Sequence, residues 1–240
     1  MLDAQATFEN HIRNNPYPGR GLVVGRDDRN GFVFIYWIMG RSQNSRNRRF
    51  AILPGGTLRT EPVDPALVED PRLIIYEAML ELPHVHLVSN GDQTTTLQRM
   101  IDGGATFEAA LATREREPDA PNYTPRISGM LDFRQGDPLL ALNILKAAPH
   151  GPEHTNRFTY RPALPPAGLG YGITTYMGDG NPLPSFSGEP LLLPCTGSPE
   201  ELLSSYFDAL NADNRISVAV KRMAITGQTT DLVVRNRYES

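Results

Sequence analysis

The sequence predicts an α+β fold in which antiparallel sheets carry helices on their outer faces. Three observations predict it. Asn30-Gly31 stands between GLVVGR and FVFIYWIM, a strong short-range signal for a hairpin. The second of those runs, Phe32–Met39, is almost wholly apolar, as in a strand buried on both faces. The apolar segments follow the order strands, two helices, strands, one helix, two strands, with no regular alternation of strand and helix.

The elements follow in order. After the first hairpin, FAIL (50–53), LIIYEAML (73–80) and HVHLVSN (84–90) read as strands. TTTLQRMIDGG suits a helix stopped by Gly103 and Gly104. ATFEAALATRERE suits another, capped by Thr106, with Phe107, Ala110 and Leu111 at helical spacing. PDAPNYTP (118–125) is a loop. RISGMLDF, LLALNILKA, RFTYRP and YGITTYM return to strands, and GDGNPLPSFSGEP is a long Gly/Pro loop. SPEELLSSYFDALN has a serine cap, glutamates in its first turn and Leu202, Leu203, Tyr206, Phe207 and Leu210 on one side, so it is a helix. ISVAVKRMAI and TDLVVRNRY form a closing hairpin. No repeat or linker divides the chain, and residues 1–240 are expected to form one domain.

Composition narrows the function. The 240 residues carry a net charge of −4, which gives no basic balance for a nucleic-acid groove. No apolar run reaches the roughly 18 residues of a membrane span, and the amino-terminal residues lack a secretory pattern, so a cytoplasmic protein is expected. The single cysteine, Cys195, excludes an internal disulfide and a cysteine metal cluster. His84-x-His86 would point two rings to one face of a strand, but no third ligand stands in a recognisable motif, and no metal is expected. GLGYG leads into a strand, so it is no dinucleotide fingerprint. G-x-S-x-G is absent, and Met1-Leu2 supplies no terminal nucleophile.

What remains is polar chemistry at the ends of apolar strands. GRSQNSRNRRF (40–50) holds Arg41, Arg46, Arg48 and Arg49 directly after the buried strand. Arginine dominates the basic residues throughout, since only Lys146 and Lys221 are lysine, so position rather than number must decide which arginines act. Two guanidinium groups at one strand end make a phosphate or carboxylate site. Tyr76 and Glu77 interrupt LIIYEAML, while Asn90, Gly91 and Asp92 leave HVHLVSN. Glu117, Asp119, Asn122, Tyr123 and Arg126 bracket the proline loop.

In this arrangement YPGRGLVVGRDDRNGFVFIYWIMGRSQNSR resembles the opening of the archaeal-type IMP cyclohydrolases, with their Y-x-G-R, V-G strand and S-R-S-x-x-N-R elements. Tyr76, LVSNGDQT and EREPDAPNYTPRI resemble three later elements in the same order, and the likeness is good over roughly residues 17–131. The chain departs from the pattern at Gly40, Ser45, Glu77, Ala78, Asp92, Gln93 and the added Tyr123. The resemblance implies a four-layer αββα sandwich like that of the N-terminal-nucleophile hydrolases, without the nucleophile. It also implies closure of 5-formamidoimidazole-4-carboxamide ribonucleotide (FAICAR) to IMP, the last step of purine biosynthesis, with no cofactor and an assembly of identical subunits. By the same resemblance Arg46, Tyr76 and Glu117 are the central catalytic residues, with Asp119 the rival of Glu117. Arg20, Arg41, Ser42, Asn90, Asn122 and Arg126 are then the substrate-binding set, and Arg46 is expected to matter where Arg48 does not. The alternatives are a purine-nucleotide-binding relative without catalysis and another amide-processing enzyme on the same fold, the latter requiring processing that exposes Thr7.

Overall fold

The computed structural model describes residues 3–68 and 70–238. Its strands are β1 (Gly21–Arg26), β2 (Phe32–Met39), β3 (Arg49–Leu53), β4 (Thr57–Glu61), β5 (Tyr76–Leu82), β6 (Val85–Ser89) and β7 (Arg126–Asp132). They continue as β8 (Leu139–Ala148), β9 (Gly151–Tyr160), β10 (Leu169–Thr174), β11 (Leu191–Pro194), β12 (Arg215–Met223) and β13 (Thr229–Asn236). The helices are α1 (Ala4–Phe8, prolonged by a π-helical turn to Arg13), α2 (Gln43–Arg46), α3 (Pro71–Ile74), α4 (Gln93–Asp102), α5 (Phe107–Ala112) and α6 (Pro199–Ala209).

All pairing is antiparallel. One sheet has six strands in the order β11-β10-β1-β2-β12-β13, the other seven in the unbroken order β3 to β9. The expected first hairpin forms at Asn30-Gly31, with Asn30 at φ 67°. β2 explains why an apolar run needs no alternation. Phe32, Phe34, Tyr36 and Ile38 join a core shared with Leu58, Val88, Leu131 and Leu142 of the seven-stranded sheet. Val33, Ile35, Trp37 and Met39, displaced by one residue, join a second core with Phe8, Ile12, Leu203, Tyr206 and Phe207 of the first and last helices. The period of two thus feeds two cores from one strand. A third core sets Val85, Leu87 and Met130 against Leu97, Ile101, Phe107 and Leu111 of α4 and α5.

Several elements differ from the sequence reading. LIIYEAML opens in the helical turn α3 and becomes a strand only at Tyr76. α5 ends at Ala112, short of the expected Glu117. β4, β11 and the amino-terminal helix were not foreseen; β4 pairs with β3 and β5, β11 pairs with β10, and Phe8 and Leu193 share one core. His84 lies in the β5–β6 turn with φ 63°, so it does not share a strand face with His86. α6 has the expected capping box, Ser198 with Glu201. No helix among the described residues is long and apolar enough to cross a membrane.

Candidate active site

Antiparallel pairing brings the start of β1, the end of β2, the start of β7 and the end of β10 to one end of the two sheets. The segments beyond those ends enclose a cavity of about 510 Å3, within the range of small-molecule sites, about 300–1,000 Å3. Its wall includes Tyr17, Arg20, Arg41, Ser42, Arg48, Glu117, Asp119, Asn122, Thr124 and Tyr176.

The segment 17–20 runs beside 175–176. Thr175 N donates to Arg20 O at 2.8 Å and Tyr176 N to Pro18 O at 3.1 Å. Gly19 makes this approach possible: φ is +71°, and a Cβ there would lie 2.2 Å from Thr175 Oγ1. Arg20 then turns inward. Its Nη1 lies 2.9 Å from Glu117 Oε1 and donates to Asn90 O at 3.0 Å. Both members of the pair are buried. Burial works against the guanidinium charge, but Glu117, joined by the phenols of Tyr76 and Tyr36, outweighs it and holds the Arg20 pKa well above the usual arginine value.

Asp119 uses both carboxylate oxygens on Thr124, accepting from its N at 2.7 Å and from its hydroxyl. Thr124 Oγ1 and Tyr176 OH are 2.6 Å apart, so the loop is fastened to the end of β10. Asn122 Oδ1 accepts from Leu183 N at 3.0 Å. Tyr17 stacks on Tyr176 at 6.0 Å and carries the Arg41 guanidinium at 4.9 Å. Burial raises the Tyr17 pKa even though Arg48, Arg20 and Arg41 all act to lower it. The phenol is neutral, with three guanidinium groups converging on it.

Ser42 and Ser45 form a capping box, and residues 43–46 make one helical turn rather than an extended loop. Ser42, Asn44, Ser45 and Arg48 face the cavity. Gln43, Arg46 and Asn47 face a second, more open cavity of about 370 Å3. Arg46 donates to Gly40 O at 3.1 Å and to Asn214 Oδ1 at 3.3 Å. Arg48 is buried and donates to Ser45 O at 2.8 Å and Met39 O at 3.1 Å. No described carboxylate forms an ion pair with Arg48, whereas Arg49 is exposed and sits 3.7 Å from Glu61.

Of the residues singled out in the sequence, Arg20, Arg41, Ser42, Glu117, its rival Asp119 and Asn122 come together in the cavity wall. Tyr76 and Asn90 are buried outside that wall. Tyr76 OH is 2.8 Å from Tyr36 OH, and Asn90 Oδ1 accepts from Ile127 N and Gln93 Nε2. Arg126 is also outside the wall, donating to Gln93 Oε1 at 2.8 Å and sitting 2.7 Å from Asp92. The two departures at 92 and 93 therefore both hold Arg126. The departures at 40 and 45 are likewise in contact, since a Cβ on Gly40 would lie 2.7 Å from Ser45 Oγ. Arg48, Tyr17 and Tyr176 were missed. The sequence holds a signal for Arg48: the motif's Asn-Arg ending stands at Asn47-Arg48, two residues beyond Ser45-Arg46.

A family model described as IMP cyclohydrolase-like protein matches residues 17–228, a stretch that holds every residue of the cavity wall. No curated protein matches the chain.

Proposed function

The chain belongs to the IMP cyclohydrolase-like family, and from that premise we propose that the cavity binds a purine nucleotide monophosphate and closes the ring of FAICAR to give IMP. The observation that carries this reading is the buried Arg48 guanidinium, uncompensated by a described carboxylate, in the same wall as the buried Arg20–Glu117 pair. An uncompensated buried cation calls for an anionic ligand, and a carboxylate beside a cation suits a proton transfer accompanied by developing charge.

The reaction balances within one substrate. The carboxamide nitrogen attacks the formyl carbon, a C–N bond forms, and the formyl oxygen takes up negative charge. Arg20 opposes that charge. Glu117 accepts the proton from the attacking nitrogen and returns it to the oxygen as a hydroxyl; the proton of the formamide nitrogen then passes to that hydroxyl, a C=N bond forms as the C–O bond breaks, and water leaves. Both reacting groups belong to one molecule, so much of the rate enhancement is conformational: the wall must hold them within reach. Arg48 and Arg41 take the phosphate, and Asn122 and Ser42 contact base or sugar. Tyr76, its hydroxyl 2.8 Å from that of Tyr36, acts on Arg20 electrostatically rather than on the ligand. Glu117 is preferred to Asp119 because both oxygens of Asp119 are committed to Thr124. We give the catalytic part expected of Arg46 to Arg20 and a phosphate-binding part to Arg48, and read the succession of helices, two sheets and helices as the four-layer αββα arrangement.

A second reading, a nucleotide-binding relative without turnover, is favoured by Asp92 and Gln93, which hold Arg126 out of the wall. The deciding experiment incubates purified protein with FAICAR and follows IMP by absorbance and chromatography. Formation far above the uncatalysed rate is expected. IMP binding without formation would select the second reading, and neither binding nor formation would overturn both.

A further inference from the structure

The carboxylates around the cavity differ in freedom. Glu117 and Asp119 are fixed, one on buried Arg20 and the other twice on Thr124. Arg41 is paired instead with Asp179, which lies in the Gly/Pro loop after β10. That pair is accessible, with side-chain exposures of 36% for Arg41 and 50% for Asp179. Asp179 sits between Gly178 and Gly180, the two residues best able to let its backbone turn. Its other contact is local, from Gly180 N to Oδ1 at 2.9 Å. Arg41 has one hold outside that loop, over the Tyr17 ring at 4.9 Å, besides donating to Gly180 O at 3.2 Å within it.

We propose that Asp179 is the exchangeable counter-ion of the cavity: it neutralises Arg41 when no ligand is bound and yields Arg41 to the phosphate of an incoming nucleotide monophosphate. This rests on the reading that the cavity takes a phosphate-bearing ligand. The argument is one of charge and mobility. A dianion that engages Arg41 as well as the unpaired Arg48 must displace the carboxylate on Arg41, and that carboxylate, Asp179, is accessible and lies on a glycine-flanked loop. Tyr17 keeps the guanidinium at the cavity mouth after Asp179 leaves, so the exchange does not require Arg41 to relocate. Asp179 thereby competes with product as well as substrate, and its return to Arg41 assists release of the nucleotide.

The test is calorimetric titration of wild type, Asp179→Asn and Arg41→Met with IMP and with inosine, at low and at physiological salt. Removing the competing charge should tighten IMP binding about two- to fivefold, the scale of an exposed ion pair. Inosine, which has no phosphate, should bind wild type and Asp179→Asn alike, and the gain for IMP should shrink as salt rises. In the Arg41→Met background, Asp179→Asn should no longer tighten IMP. Hydrogen exchange of residues 179–181 should quicken when IMP binds to wild type. IMP binding equally or more weakly to Asp179→Asn, or added protection of 179–181, would overturn the counter-ion role while leaving the nucleotide reading intact. Failure of IMP to bind any of the proteins would overturn the nucleotide reading and this inference with it.

Discussion

Replacing Arg48 by methionine should separate the proposed site from the one expected on sequence alone. Methionine keeps an unbranched apolar stem in the buried position and removes the guanidinium. The loss has two parts. The contacts to Ser45 O (2.8 Å) and Met39 O (3.1 Å) disappear, which costs stability. The contact to a phosphate disappears as well, and a hydrogen bond to a charged group is worth about 1.5–3 kcal/mol. IMP affinity should therefore fall about ten- to a hundredfold. Arg46→Ala removes a 3.1 Å contact to Gly40 O and a weak 3.3 Å contact to Asn214 on the far side of the same helical turn. Its effect on IMP affinity should stay within about twofold, as for a substitution that touches no ligand. Calorimetric titration with IMP, supported by circular dichroism to show that each variant is folded, measures both. If Arg46→Ala lost affinity tenfold or more while Arg48→Met bound normally, the assignment of the two faces of residues 42–48 would be refuted.

Other outcomes follow from the same contacts. Glu117→Gln should lower cyclisation about a hundredfold or more, the scale of a general base, with IMP affinity changed far less; unchanged turnover in the FAICAR assay would remove Glu117 from the mechanism. Gly19→Ala places a Cβ 2.2 Å from Thr175 Oγ1 at φ +71°. Strain plus overpacking should cost about 2–5 kcal/mol, and a urea midpoint equal to wild type would contradict it. Buried His86 has its pKa lowered by burial and by Lys221, against the opposing pull of Gly227 O and Glu81. The unfolded chain therefore binds that proton more readily, and the stability linked to His86 is present above its unfolded value of about 6.5 and lost as pH falls below it. Urea denaturation between pH 7.5 and 5 should show stability falling with pH, and a slope unaltered in His86→Gln would exclude His86 as its source.

Local structure was legible where a residue's own chemistry imposes it. Asn30-Gly31 demanded a tight turn, Ser198 and Glu201 a helix start, Gly103 and Gly104 a helix end, and all three occur where the residues stand. The burial of β2 on both faces was readable for the same reason: an eight-residue run with no polar face has nowhere to meet water. The site was legible only as a set of polar residues at strand ends. Which of them meet depends on four segments, 17–20, 41–48, 117–124 and 176–183, brought to one end of the sheets by long-range pairing. No local periodicity encodes that register. The choice between Arg46 and Arg48 turned on a single helical turn. In an extended chain neighbouring residues alternate, whereas the Ser42–Ser45 box winds residues 43–46 so that 42, 45 and 48 share one side and 43, 46 and 47 the other. The sequence by itself determined that arginines would crowd the end of a buried strand; only the tertiary structure decided which guanidinium enters the cavity, because that depends on a backbone turn and on the walls packed against it.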